Sequence, residues 1–343
     1  MNQVKQVNQV NQVKQVKQVN QSSTYKSAYR SEIDGLRAFA VLSVVAFHAF
    51  PGWLKGGFIG VDVFFVISGF LITTHIFENL DKGQFSFADF FGRRIRRIFP
   101  ALILVMACSL VFGWFALLAD EFAQLGKHIA SGSAFITNFI LANESGYFDN
   151  TAMTKPLLHL WSLGIEEQFY IIYPMFILLC FRFFKNFFFQ IVLFSSISSL
   201  ILAQWGSVNF SILNFYFLPT RLWELFCGAL LAKIETNRGH LSKSPYSNIL
   251  SFIGISLIIF SFIFFNNDTF HPSILTTIPV FGTMMVIWFS NEKCIVTNVL
   301  SNKFLVGLGL ISYSLYLWHY PLFSFAELLN LSKNLTDKII VII

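Results

Sequence analysis

From residue 36 onward the chain alternates apolar blocks with short polar connections. The blocks fall at 36–50, 57–77, 99–119, 165–181, 187–205, 215–232, 249–265, 273–290 and 304–325. A helix needs roughly 20 apolar residues to cross the hydrocarbon core of a bilayer, and the longer blocks approach that length. The pattern therefore predicts an all-α polytopic membrane protein with about ten transmembrane helices. The tenth opens at Ile339 and reads as incomplete, because the sequence stops at Ile343.

Before these blocks the pattern is different. Gln-Val recurs every three residues from Gln3-Val4 to Gln18-Val19, preceded by Asn or Lys. A period of three suits neither a helix nor a strand. Residues 1–28 are expected to be a disordered low-complexity tail, and 29–343 the membrane domain. The tail is too polar for a signal peptide.

Composition agrees with the bilayer reading. Hydrophobic residues make up 55% of the 343, charged residues 12%, and 43 are Phe. A water-soluble surface needs more charge than this. The net charge of +6 has no polar domain on which to form a basic stripe, so no nucleic-acid partner is expected. Its placement is informative instead. Alternate connections hold Lys82, Arg93–Arg97, Arg182, Lys185, Lys233 and Lys293, whereas the others hold only Lys55, Lys127, Lys155, Lys333 and Lys338. That asymmetry predicts a cytoplasmic N-terminus, with 120–164 outside and folded into short helices. Cys108, Cys180, Cys227 and Cys294 are far apart. They predict neither a metal site nor a disulfide framework.

Ionisable residues inside a bilayer cost about 2.5–3.5 kcal/mol each at a helix centre and so mark candidate sites. Arg37 and His48 are eleven residues apart, which puts them on one helix face about 16 Å apart along the axis. Asp62 opens the next helix near the level of His48, where a carboxylate could orient an imidazole. The plainer alternative is an interfacial His with a snorkelling Arg. Arg93, Arg94, Arg96 and Arg97 precede Pro100. They suit a phosphate cradle, although positive-inside bias alone would also place them there. His159 and Glu166 share a helix face, with Glu167 beside them. Arg221 and Glu224 are spaced to pair, in a structural or a catalytic role. His319 is the last intramembrane candidate.

These residues sit in blocks that resemble the acyltransferase-3 family of bacterial membrane O-acyltransferases. The blocks are Ile33–Ala38 with ten residues between Arg37 and His48, Gly60–Phe70, Arg93–Pro100, Gly146-Tyr147-Phe148, His159–Tyr170 and Ser312–Pro321. The resemblance runs from about Tyr29 to the chain end. It implies location in the bacterial cytoplasmic (inner) membrane and no bound cofactor. The implied partners are an acyl-CoA co-substrate, often acetyl-CoA, and a cell-surface carbohydrate acceptor such as lipopolysaccharide O-antigen, another polysaccharide or peptidoglycan. His48 matches the family's essential histidine, Arg37 the arginine of its motif, Arg93–Arg97 its donor-associated arginines and Glu166 its conserved acid. Many members also carry an SGNH hydrolase-like domain, which this sequence does not contain.

The resemblance suggests that arginines hold the donor nucleotide while its thioester reaches toward His48, acting as general base. A covalent acyl relay is the other route, and the sequence leaves both open. A rival from a different class is a transporter or flippase for a lipid-linked sugar, using the same charges as a pathway. The sequence lacks the paired, interrupted halves that many transporters show.

Overall fold

Glycines decide where two of the longest helices meet. Gly69 and Gly228 stand where helix backbones touch: a Cβ on Gly69 would lie 1.9 Å from the Leu225 carbonyl oxygen, and one on Gly228 2.1 Å from that of Val66. No other residue permits such an approach. The computed structural model describes residues 29–50, 52–144, 155–238 and 244–329. The tail 1–28, the Gly146-Tyr147-Phe148 block and the segment from Ile339 lie outside them. The chain divides into Met1–Ser31 and Glu32–Ile343.

All regular structure among the described residues is helical. In chain order the helices are α1 (Ser31–Ala49), α2 (Gly60–Asp81), α3 (Phe87–Ala116), α4 (Ala119–Ser133), α5 (Thr137–Asn143), α6 (Leu160–Phe183) and α7 (Phe188–Asn209). There follow α8 (Ser211–Tyr216), α9 (Leu218–Arg238), α10 (Ser247–Phe264), α11 (Thr277–Phe289), α12 (Ile295–Leu300), α13 (Lys303–Leu310) and α14 (Ser312–Leu328). The most extensive pairings join α2 to α9, α10 to α11 and α9 to α7.

Among the described residues five helical stretches are long and apolar enough to cross a membrane: Gly57–Asp81, Phe87–Ala116, Leu160–Phe183, Lys185–Asn209 and Ser247–Phe264. Ile274–Phe289 is apolar but shorter. That is fewer than the expected ten or so, for local reasons. The first block lies in α1, which also carries Glu32, Asp34 and Arg37, and α9 carries Arg221, Glu224 and Lys233. The block at 304–325 is divided at Ile311 between α13 and α14. The third block begins earlier than its apolar run, because α3 starts at Phe87 and takes the arginine cluster into the helix.

The α2–α3 turn sets that cluster's direction. Gly83 adopts φ of 65° after the last turn of α2, a left-handed conformation that suits Gly. The Ser86 hydroxyl then caps α3 by accepting from the Asp89 N–H at 3.3 Å.

Large apolar side chains remain on the outside, among them Phe112, Trp114 and Phe115 on α3, Phe194 on α7 and Phe264 on α10. A bilayer accommodates such a surface and water does not. Residues 119–143 fold into α4 and α5, the short helices expected within 120–164. Glu144 ties them to the chain beyond. It accepts from Lys127 Nζ at 3.1 Å and Lys155 Nζ at 3.2 Å, and meets His128 Nε2 at 2.8 Å. Burial acts to raise the Glu144 carboxyl, but these partners outweigh it and hold it below the usual carboxylate range. Burial pulls the His128 imidazole below its ordinary value.

Candidate functional site

Three groups of polar side chains stand inside the helical body. The first lines a cavity between α1, α2, α3, α6 and α14. Arg37, Arg94 and Arg97 share its wall with Glu166, Glu167 and Tyr170. Helical periodicity divides the predicted arginine cluster. Arg94 and Arg97, one turn apart, line the cavity, Arg94 half-buried and Arg97 exposed at its edge, whereas Arg93 turns to His75, 2.9 Å away, and Arg96 stays outside the lining.

Within the cavity Arg37 pairs with Asp34 at 3.2 Å. Arg94 lies over the Tyr170 ring, 4.7 Å from its centroid. Glu166 accepts hydrogen bonds from the Ser68 hydroxyl and, at 2.9 Å, from Tyr170. Three guanidinium groups beside two carboxylates and several hydroxyls form a lining suited to an anion with a polar tail.

The second group is a cluster of histidines. His48 in the last turn of α1, His159 at the start of α6 and His319 on α14 come together. The ring centroids of His48 and His319 are 5.1 Å apart, and those of His159 and His319 are 5.5 Å apart. His48 Nδ1 lies 3.0 Å from the Val44 carbonyl oxygen and 3.2 Å from His319 Nε2. His319 Nδ1 lies 2.5 Å from the Tyr316 carbonyl oxygen. Tyr320 presents its ring to His48 at 4.9 Å and stacks on His159 at 5.6 Å. His159 is buried among these rings.

Tyr316 joins the two groups. It lines the arginine cavity, while its ring lies 5.3 Å from that of His319 and 5.5 Å from that of His159. Its hydroxyl meets Ser162 Oγ at 2.5 Å and donates to the His159 carbonyl at 3.1 Å.

The third group corrects an expectation. Asp62 does not orient His48. Its Oδ1 lies 2.9 Å from Arg221 Nη1 and 3.4 Å from His271 Nε2. Arg221 also reaches Glu224 at 3.3 Å, the anticipated pair, and donates to the Phe215 carbonyl at 3.2 Å. Asp62, Arg221 and Glu224 are all fully buried. An arginine only donates, so His271 Nε2, 2.8 Å from Nη1, accepts and is unprotonated. The reason for the mismatch is rotational. Sequence gives Asp62 a level along α2, and the α2–α9 seam turns it toward Arg221.

The sequence reading missed Ser68 as a partner of Glu166, and it missed Ser162, Tyr170 and Tyr316. Hydroxyls are cheap in apolar helices and raise no alarm there, although all but Ser162 can be found by asking what could satisfy a buried Glu or His. His271 lies in a polar connection and gave no signal. No group of metal-ligating side chains that could hold an ion exists among the described residues.

Comparison with known proteins agrees with the geometry. The model of the acyltransferase-3 family, an acyltransferase domain, matches residues 30–340. The peptidoglycan O-acetyltransferase OatA of Listeria monocytogenes is 33% identical over 318 residues, covering 88% of this chain and 50% of that protein. YrhL of Bacillus subtilis, described as a candidate peptidoglycan O-acetyltransferase, is 34% identical over 324 residues, covering 87% of this chain and 49% of that protein. The chain thus spans about half the length of the curated relatives it matches. No solved structure matches it.

Proposed function

This chain belongs to the acyltransferase-3 family, and from that premise we propose that it is a multi-pass membrane O-acetyltransferase. In this reading the donor is acetyl-CoA at the cytoplasmic face of the inner membrane, where the N-terminus also lies. The acceptor is a hydroxyl of an extracytoplasmic carbohydrate. Peptidoglycan is favoured over O-antigen, because the relatives named by acceptor are named for peptidoglycan.

One observation carries the reading: the arginine-lined cavity and the His48 cluster share Tyr316 as a common wall. Arg37, Arg94 and Arg97 suit the phosphates of a CoA donor, and Glu166, held by Ser68 and Tyr170, balances their charge. The pantetheine arm is comparable in length to the separation of about 16 Å between Arg37 and His48 along α1, so the thioester reaches the histidines. His48 takes the proton of the acceptor hydroxyl as its oxygen bonds to the acetyl carbonyl carbon. The C–S bond breaks, and the proton passes from His48 to the departing thiolate. A positioned base of this kind contributes about 10²–10⁴ in rate.

The test is transfer itself. The purified chain in proteoliposomes, given labelled acetyl-CoA inside and soluble peptidoglycan fragments outside, is expected to produce ester-linked acetyl groups on the fragments. Fragments without label, from correctly inserted protein, would sink the reading.

A further inference from the structure

A histidine base works only if one nitrogen holds a lone pair toward the substrate, and in the Ser-His-Asp arrangement a carboxylate behind the ring ensures it. Among the described residues His48 has no such carboxylate. Asp62 is committed to Arg221, and the polar partners of the His48 ring are the Val44 carbonyl and His319.

The directions of these bonds follow from the acceptors. The Tyr316 carbonyl can only accept, so His319 Nδ1, 2.5 Å away, carries hydrogen. In the neutral ring His319 Nε2 is then an acceptor. Its neighbour at 3.2 Å, His48 Nδ1, must donate. The Val44 carbonyl at 3.0 Å makes the same demand on that nitrogen. Both ends of the chain of bonds therefore leave the lone pair of His48 on Nε2.

We propose that His319 is the positioning residue for His48, standing where other enzymes place a carboxylate. This assignment rests on the acyl-transfer reading above. When His48 Nε2 takes the acceptor proton, the ring becomes cationic and its Nδ1–H becomes a stronger donor. His319 Nε2 receives that bond, and His319 is in turn anchored through Nδ1 to the backbone of α14. An imidazole suits this place better than a carboxylate. It accepts a hydrogen bond while uncharged, and a carboxylate would put a permanent charge among apolar helices. The dyad also joins α1 to α14, so the base is set by a helix that lines the donor cavity as well.

The experiment compares His319→Leu with His319→Gln in the proteoliposome assay, at matched protein abundance, with wild type and His48→Ala as references. Gln offers Oε1 as an acceptor for His48 Nδ1–H, and Leu offers none. For His319→Leu the expected result is a fall in kcat of about 10²-fold or more, with KM for acetyl-CoA unchanged. For His319→Gln the loss should be about tenfold or less, since the hydrogen bond remains. A purely structural brace would lower folded protein and leave the kcat of what survives unaltered. Equal kcat for the Leu and Gln variants, or a Leu variant as fast as wild type, overturns the assignment. Absence of transfer by wild type is a different failure: it removes the functional reading itself.

Discussion

Arg221 Nη1 sits 2.9 Å from Asp62 Oδ1, tying α9 to α2 through two side chains that are both fully buried. Removing one member of a buried ion pair leaves an uncompensated charge and costs about 3–5 kcal/mol. Arg221→Met should therefore remove most of the folded protein, as seen by the monodisperse peak in detergent gel filtration. Adding Asp62→Asn and Glu224→Gln should restore part of it. Full recovery of abundance by Arg221→Met alone would show that the cluster is not holding the helices together.

The His48 position behaves oppositely. Its ring bonds within α1 and to His319 and carries no partner charge, so truncation disturbs little packing. His48→Ala and His48→Gln are each expected to lower acetyl transfer by about 10²–10⁴, at near-normal abundance. An amide can hydrogen-bond but cannot take the proton. Transfer at the wild-type rate in His48→Gln would rule out a base at this position.

The division of the arginine cluster gives a paired test. Arg94 and Arg97 line the cavity, whereas Arg93 and Arg96 do not. Loss of a charge-assisted hydrogen bond costs about 1.5–3 kcal/mol, or roughly a 10- to 100-fold change in affinity. Arg94→Gln with Arg97→Gln should raise KM for acetyl-CoA by at least that single-bond amount. Arg93→Gln with Arg96→Gln should leave it nearly unchanged. Equal effects from both pairs, measured by donor titration, would mean that the cluster acts only through its total charge.

Acid should loosen the α4–α5 segment. Both groups at its fastening have folded values below their unfolded ones, Glu144 because its three partners prevail over burial and His128 because of burial. A depressed value means stability that is full above the unfolded pKa and lost as pH falls through the folded one. The two groups therefore act with the same sign. Loosening should begin below about 6.5, the ordinary imidazole value, and be complete once Glu144 is protonated. Hydrogen exchange of residues 119–143 at neutral and acidic pH would show it. Glu144→Gln should exchange quickly at both, and unchanged protection in acid would refute the fastening.

The helices were readable because they depend on period, and the three-turn spacing of Arg37 and His48 on α1 follows from the same period. Eleven residues make almost a whole number of turns, whatever surrounds the helix. The environment of Asp62 was not readable, since its rotation about α2 is fixed by glycines on two helices and by a histidine in a distant connection. Among the described residues only five of the expected ten or so crossings stand out by length and apolarity, for a related reason. Block length locates helices, but Glu32, Asp34 and Arg37 in α1 and the buried charges of α9 make those helices too polar to stand in lipid alone. They are inside because other helices surround them.

The bare α2–α9 seam limits what this protein can become. Backbone meets backbone at Gly69 and Gly228, so even alanine there has to push the two helices apart. Gly69 follows Ser68, the donor to Glu166, and any such displacement is passed at once to the cavity wall. A change in the size of whatever the cavity holds finds no tolerance along this side. Variation has to be absorbed elsewhere in the lining, at positions such as Ile98, Leu163 and Tyr313.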